Sequence, residues 1–219
     1  MSAKPLGRIY IITDRRACAG GRDLVEVVAA ALAGVGAAGA VVQLREKDLG
    51  TRDLLALARR LLEVTRPRHC PLLVNDRVDI ALAAGADGVH LPERSFDIAT
   101  ARALGGPGFL IGASTHSASA ARDAAGAGAD LIVCGPVWST PSKPGAATLG
   151  PDGVAQIAAA VEEAGTGCKF YALGGVDSAE RAREAVARGA WGTAGIRAFI
   201  AAEDPGKAAA AFAQAAASA

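Results

Sequence analysis

Residues of types that bind anions and metals follow a series of short apolar runs along this chain. Cationic, amide, hydroxyl, carboxylate and imidazole side chains occur there, together with paired glycines. In chain order the set comprises Gln43, Arg45, Lys47, Asn75, Asp76, Ser114, His116, Thr140, Ser142, Lys143, Gly174, Gly175, Gly195 and Ile196. If the apolar runs are parallel strands, their carboxyl ends meet at one face of the sheet, where such folds bind ligands. The set therefore predicts one site for a charged ligand.

The segment STPSKPG, residues 139–145, has the composition of a phosphate-binding loop. Thr140, Ser142 and Lys143 supply two hydroxyl groups and an ammonium group on a backbone stiffened by proline. Backbone N–H groups at the turns 174–175 and 195–196 can approach the same oxygens, as in phosphate sites after the last two strands of α/β barrels. The alternative for this segment alone is a solvated surface turn, and the glycine turns favour the phosphate site.

A second anion site is predicted at the run AVVQLRE. Gln43, Arg45 and Lys47 alternate along this part of the chain, so that in a strand their side chains face the same way. Asn75 and Asp76 end the next predicted strand. Together with these two residues, the three side chains could hold a second anionic group or a metal–diphosphate complex. The alternative is a salt bridge from Arg45 or Lys47 to Glu46 or Asp76. Because unpaired charges inside a barrel are costly, we favour the binding function.

The stretch GVHLPERS, residues 88–95, reads as a strand followed by a charged loop that could supply a carboxylate to a metal ion. His90 precedes the end of this strand, and we interpret it as a packed histidine. His116 directly follows its own strand, and an imidazole is suited to proton transfer near neutral pH. His116 is therefore the candidate for acid–base catalysis.

The alternation of β-type runs with alanine-rich helical patterns predicts the fold. Strands are predicted at residues 8–13, 40–46, 71–76, 88–92, 109–115, 131–137, 169–175 and 192–196, and helical patterns include 53–66 and 178–189. Eight such pairs match an α/β fold of the (β/α)8 TIM barrel type, with the whole chain, 1–219, as one domain. A doubly wound sheet is the alternative, but the first strand ends in ITDRR and lacks a glycine-rich turn. The segment from Gly206 is expected to form a last helix that frays.

Composition restricts the classes of partner. The formal net charge is +1, which gives no electrostatic reason to expect nucleic acid or a membrane surface. No apolar run approaches the ~20 residues that a membrane span needs, and the first residues do not resemble a signal peptide, so a cytoplasmic location is expected. The four cysteines lack metal-ligand spacing and are expected to be free thiols. Barrels of this size commonly pair through their helices, so we expect a homo-oligomer.

The motifs VVQLREKD, LLVNDRVDIALAAGADGVHL, IGASTHS, CGPVWSTPSKPG and ALGGV, in this order, resemble the thiamine phosphate synthase/TenI family. The likeness covers roughly residues 8–200 and implies an enzyme of thiamin biosynthesis that binds a thiazole phosphate. The implied ligands of a pyrimidine diphosphate are Gln43, Arg45, Lys47 and Asn75, with Asp76 as a magnesium ligand. The implied ligands of the thiazole phosphate are Thr140, Ser142, Lys143 and Gly175.

The chain departs from the synthase pattern at two positions. Ser95 stands where synthases place a second acidic magnesium ligand, and a hydroxyl group is a poor replacement for a carboxylate. Glu93 or Asp97 could restore a carboxylate by a small shift. Arg197 stands where synthases usually have a serine. The motifs NDRVDIAL and LPERSF are also closer to TenI, the thiazole tautomerase branch, in which a histidine at position 116 is implicated in proton transfer.

These departures favour the tautomerase, an isomerase that needs no cofactor, with His116 as its proton shuttle. The first alternative is the synthase, a transferase that uses Mg²⁺ to join the pyrimidine diphosphate to the thiazole phosphate and releases pyrophosphate. The synthase is supported by four residues that a tautomerase does not obviously require, namely Arg45, Lys47, Asn75 and Asp76. The second alternative is a non-catalytic paralogue that binds a phosphate ligand of the pathway and acts through a partner.

Overall fold

The predicted barrel is confirmed in a computed structural model, which describes residues 5–140 and 145–218. Its eight strands are β1 (Ile9–Ile12), β2 (Ala40–Leu44), β3 (Leu72–Asn75), β4 (Gly88–Leu91), β5 (Leu110–Thr115), β6 (Leu131–Cys134), β7 (Lys169–Leu173) and β8 (Gly192–Gly195). They pair in parallel in chain order, and β1 closes the barrel by pairing with β8. All eight strands are one to three residues shorter than predicted.

Helices cover the outside of this barrel. They are α1 (Leu24–Gly34), α2 (Thr51–Thr65), α3 (Val78–Ala84), α4 (Ile98–Gly105), α5 (Ala118–Gly126), α6 (Gly150–Glu163), α7 (Ala179–Ala187), α8 (Arg197–Ile200) and α9 (Pro205–Ala217). Side-chain oxygens cap several N-termini, as Asp23 does for α1 and Ser178 for α7. Such caps satisfy N–H groups that the first helical turn leaves without a partner.

The strand residues alternate between two apolar regions. Tyr10, Leu73, Leu131 and Tyr171 belong to one buried cluster that fills the barrel. Their neighbours along the strands, such as Ile11, pack against the surrounding helices. Since successive side chains of a strand point to opposite faces, this division follows from the strands being buried on both sides.

The last helix is well packed, so the prediction that it frays is wrong. Helix α9 runs to Ala217, and Phe212 contacts Phe199 edge-on with 5.0 Å between ring centroids. A Cβ atom at Gly34 of α1 would lie 2.0 Å from the carbonyl oxygen of Gly206, so the backbones of α1 and α9 meet closely. Alanine and glycine allow this approach, which anchors a segment whose composition alone predicts weak packing.

Two expectations from composition can be compared with the structure. All four cysteines are free thiols, and three of them are buried. Within the part of the chain that the structure describes, no helix has the length and apolar character to cross a membrane.

Candidate functional site

Polar side chains from β2 and β3 meet at the carboxyl end of the barrel. The side-chain amide of Gln43 donates to the Asn75 side-chain oxygen over 2.9 Å, and Gln43 is only 2% exposed. Gln43 pairs in register with Leu73, a residue of the cluster that fills the barrel, and Asn75 lies two positions beyond Leu73 on the same face of β3. The sequence-predicted partners Gln43 and Asn75 are therefore in direct contact.

The structure corrects the placement of Arg45 and Lys47. Strand β2 ends at Leu44, so these two residues lie in the following loop and the alternation argument applies to Gln43 alone. The Arg45 backbone N–H donates to the Thr13 hydroxyl oxygen over 2.9 Å, which turns the chain toward the end of β1. Arg45 is half-buried and Lys47 is exposed.

A charged cluster that the sequence reasoning missed holds this loop. The Glu46 carboxylate is buried and accepts hydrogen bonds from the Arg15 backbone and guanidinium, each over 3.0 Å. Arg15 also donates two hydrogen bonds to Asp48, which lower the pKa of Asp48 to about 2. Glu46 therefore pairs with Arg15, and not with Arg45 or Lys47 as the salt-bridge alternative supposed. The sequence does contain a signal for this cluster. Opposite charges follow the two adjacent strands β1 and β2, in the segments DRR (14–16) and EKD (46–48).

Asp76 and Ser95, the two positions considered for a metal, lie together. The Ser95 hydroxyl donates to the Asp76 carboxylate over 2.5 Å. Asp76 is exposed and has a φ of 61°, a left-handed conformation that is unusual for a residue other than glycine. Within residues 5–140 and 145–218, no group of three acidic, histidine or cysteine side chains could hold a metal by itself.

The two carboxylates that could have replaced a metal ligand have other partners. Asp97 caps α4 by accepting hydrogen bonds from the backbone and hydroxyl of Thr100, which lower the pKa of Asp97. Glu93 faces His116, with 3.8 Å between its Oε2 and the imidazole Nε2.

His116 follows β5 and lies between the β4 loop and the end of β6. Its Nδ1 atom is hydrogen-bonded to the Gly135 carbonyl oxygen. Because a carbonyl can only accept, Nδ1 carries the proton, and Nε2 is the atom left to exchange one. The His116 side chain is 43% exposed, so the imidazole is accessible to solvent.

His90 is a packed histidine, as expected, and it is also part of a buried polar chain. Its Nδ1 lies 2.8 Å from the Tyr10 hydroxyl and its Nε2 lies 2.9 Å from the Ser114 hydroxyl. Burial, assisted by the positive charge of Arg45, lowers the pKa of His90 to about 3. The imidazole is therefore neutral at physiological pH.

The loop after β6 and the turn after β7 approach each other closely. Backbone N–H groups of Val137 and Trp138 donate to the carbonyl oxygens of Leu173 and Gly174. A Cβ atom at Gly174 or Gly175 would lie 2.6 to 2.7 Å from atoms of this loop, and both glycines have positive φ. The two glycines are therefore required for the loop to lie against β7.

The remaining residues of the predicted phosphate site are only partly described. Thr140 is half-buried and lies at the last described position of this loop. Ser142 and Lys143 lie outside the described residues. On the neighbouring strand, Gly195 ends β8 and Ile196 leads into α8, accepting its first backbone hydrogen bonds. The glycine turns of β7 and β8 thus lie on the side of the barrel that carries this loop.

Comparison with known proteins identifies the family. Residues 9–199 match the family described as thiamine monophosphate synthase. The chain belongs to this family. The "Putative thiamine-phosphate synthase" of Geobacter sulfurreducens is 52% identical over 90% of this chain and 88% of the relative. The "Thiamine-phosphate synthase" of Roseiflexus sp. is 42% identical over 91% of this chain and 80% of the relative.

A solved structure supports the same family. The thiamine phosphate pyrophosphorylase from Pyrococcus furiosus superposes with a TM-score of 0.81 at 33% identity, covering 96% of both chains. The resemblance to the synthase family and the role in thiamine biosynthesis are thus confirmed. The two relatives and the family carry synthase names, and none of these comparisons supports the preference for the TenI tautomerase branch.

Proposed function

We propose that the protein is a thiamine-phosphate synthase. The observation that carries the proposal is the juxtaposition of the Gln43–Asn75 amide pair with the exposed Asp76 carboxylate at the barrel mouth. Arg45 follows directly after β2, the strand that carries Gln43, and is half-buried. Amide, carboxylate and guanidinium groups together suit a metal–diphosphate, which the tautomerase reaction does not use.

The residues at Asp76 fit a magnesium ion that arrives with its substrate. Mg²⁺ is commonly bound through one or two carboxylates together with substrate phosphates and water. Asp76 would supply the carboxylate, and Ser95 would keep that carboxylate oriented through its hydrogen bond. When bound, Mg²⁺ would neutralise negative charge on the diphosphate as it leaves.

The other residues would bind and orient the two substrates. Arg45 and Lys47 would attract the diphosphate from the loop that Arg15 and Glu46 hold in place. The glycine turn 174–175 follows β7, on the opposite side of the barrel from β2 and β3, and would bind the thiazole phosphate. Lys143 would supply a positive charge to the same phosphate. A bond between pyrimidine and thiazole would then form as the bond to the diphosphate breaks, releasing pyrophosphate. Holding both substrates in one orientation lowers the entropic part of the barrier.

The direct test supplies both substrates and Mg²⁺ to the purified protein and measures thiamine phosphate and pyrophosphate. Asp76→Asn should lower kcat/KM by at least ~10-fold, on the scale seen when the groups around a metal are altered. Asp97→Asn is the matched control, since asparagine also caps helices well, and it should stay within about twofold of the unaltered protein. Equal losses in both variants would contradict the role of Asp76.

A second variant tests the position of Ser95. Ser95→Asp places another carboxylate beside Asp76 and should lower the Mg²⁺ concentration that gives half-maximal rate. Absence of product with both substrates and Mg²⁺ would contradict the synthase. Calorimetric binding of the substrates without turnover would instead support the non-catalytic paralogue.

The tautomerase is the second candidate, and the geometry of His116 favours it. Gly135 sets the tautomer, which leaves Nε2 as an accessible base 3.8 Å from Glu93. An imidazole held in this way can remove and return a proton near neutral pH. The test follows the absorbance change as the thiazole carboxylate phosphate becomes aromatic, where His116→Gln should lower turnover by ~10²–10⁴-fold. His90→Gln is the control, and a larger loss in that variant would contradict the assignment.

A further inference from the structure

A line of three polar side chains leads from inside the barrel to its mouth. Tyr10 on β1, His90 on β4 and Ser114 on β5 are joined by hydrogen bonds of 2.8 and 2.9 Å. Tyr10 is fully buried, His90 is 2% exposed, and Ser114 is half-buried at the upper end. A chain of this kind connects a buried phenol to a hydroxyl group that lies at the predicted site.

The packing around the imidazole keeps it in one place. A Cβ atom at Gly112 would lie 2.6 Å from the His90 Nδ1 atom, so only glycine leaves room for the ring. The Tyr10 ring lies against that of Tyr171, with 5.3 Å between centroids. The Tyr171 hydroxyl donates to the Gly7 carbonyl oxygen and so does not compete for the imidazole.

Hydrogen-bond accounting decides the direction of the chain. If His90 carried its proton on Nδ1, it would donate to Tyr10, and the phenol hydrogen would need another acceptor. The described residues provide no second hydrogen-bond partner for the Tyr10 hydroxyl, and an unpaired buried donor is costly. Tyr10 therefore donates to Nδ1, and the proton of His90 lies on Nε2, from which it donates to the Ser114 oxygen.

We propose that Tyr10 and His90 are positioning residues that orient the Ser114 hydroxyl as a hydrogen-bond donor toward an acceptor atom of the bound substrate. Because the Ser114 oxygen accepts from His90, its own hydrogen is free to point away from the imidazole and into the mouth. Burial keeps the pKa of His90 far below neutral, so the ring transfers no proton and acts through its tautomer alone. The identity of the substrate that Ser114 contacts rests on the proposed synthase function. The tautomer of His90 is independent of that function.

The first experiment measures the tautomer directly by long-range ¹H–¹⁵N correlation spectra of the histidine rings. The chain has 3 histidines, so the His90→Gln variant assigns the signals of His90 by their loss. We expect the Nε2–H form in the unaltered protein and a shift toward the Nδ1–H form in Tyr10→Phe, which keeps the ring and removes only the hydroxyl. A predominant Nδ1–H form in the unaltered protein would overturn the proposal.

The second experiment is a double-mutant cycle of Tyr10→Phe and Ser114→Ala, assayed for thiamine phosphate formation. Tyr10→Phe should lower kcat/KM by about 3- to 30-fold, the scale of one hydrogen bond. The double variant should be no slower than Ser114→Ala, because the phenol acts only through that hydroxyl. Multiplicative losses would overturn the proposal by showing that Tyr10 contributes independently.

The two experiments separate failure of this proposal from failure of the proposed function. If the unaltered protein makes no thiamine phosphate, the same cycle is measured as dissociation constants for hydroxymethylpyrimidine diphosphate and thiazole phosphate. For the ligand that Ser114 contacts, the double variant should then bind no more weakly than Ser114→Ala. A cycle in which Ser114→Ala changes the affinity for neither ligand would overturn the role of the hydroxyl.

Discussion

The buried histidine gives the protein a pH-dependent stability that can be calculated from its pKa. Burial lowers the pKa of His90 from 6.5 to about 3. Between these values the unfolded chain binds a proton that the folded protein excludes, so stability must fall as the pH decreases. Each pH unit within this range costs at most ~1.4 kcal/mol. Between about pH 7.5 and about pH 5, the expected loss attributable to His90 is therefore about 2 kcal/mol.

Urea unfolding of the unaltered protein and of His90→Gln, at several pH values, tests this prediction. The variant removes the titrating group, so its free energy of unfolding should fall by about 2 kcal/mol less over the same pH range. The other two histidines are present in both proteins, so the difference between the two pH profiles isolates the contribution of His90. Carboxylates such as Asp48, whose pKa is lowered to about 2, titrate below the range used. Parallel pH profiles for the two proteins would refute the reasoning.

Three further predictions concern stability and binding. Gly112→Ala should reduce the free energy of unfolding by about 1–3 kcal/mol in urea, because its Cβ atom would lie 2.6 Å from the His90 ring. Arg15→Gln should reduce it by about 1–2 kcal/mol, since buried Glu46 would keep only one of its two hydrogen bonds from Arg15. Lys143→Ala should weaken thiazole phosphate binding by ~1.5–3 kcal/mol in calorimetry, the scale of a charge-assisted hydrogen bond.

Each of these predictions has an outcome that contradicts it. Arg16→Gln is a control for Arg15→Gln, because the Arg16 side chain is 73% exposed and ion pairs in solvent, such as the one with Asp48, contribute little to stability. Equal effects of the two arginine variants would show that the buried carboxylate is not the cause. A stable Gly112→Ala protein would mean that the imidazole can move. An unchanged affinity in Lys143→Ala would assign STPSKPG to an ordinary surface turn.

The predictions about residue positions were accurate where they depended on which strands are adjacent, and wrong where they depended on where a strand ends. Gln43 and Asn75 were correctly brought together, because residues at the ends of adjacent parallel strands must be neighbours. Arg45 and Lys47 were misplaced, because the argument assumed that the strand continued past Leu44. Where a strand stops depends on which groups compete for its backbone, and here the Thr13 hydroxyl accepts from the Arg45 N–H.

Several contacts could not have been predicted from the sequence alone. The partner of Glu46 is 31 residues away, and the hydroxyl that contacts His90 belongs to Tyr10, 80 residues earlier in the chain. Tyr10 lies in an apolar run that reads as ordinary core, and nothing in its neighbours indicates a polar partner. Asp97 looked like a candidate metal ligand, whereas the structure uses it to cap α4.

The sequence by itself determined the barrel and the end of it at which the polar residues of the predicted site gather. Apolar runs, helical periodicity and glycine turns are local properties, and eight repeats of one unit leave few ways to close a parallel sheet. Only the tertiary structure decided which polar groups pair, which carboxylate is buried and which hydroxyl groups contact His90. These outcomes depend on distances of about 3 Å between side chains on different strands, because hydrogen bonds and buried charges are sensitive to geometry that no local pattern encodes.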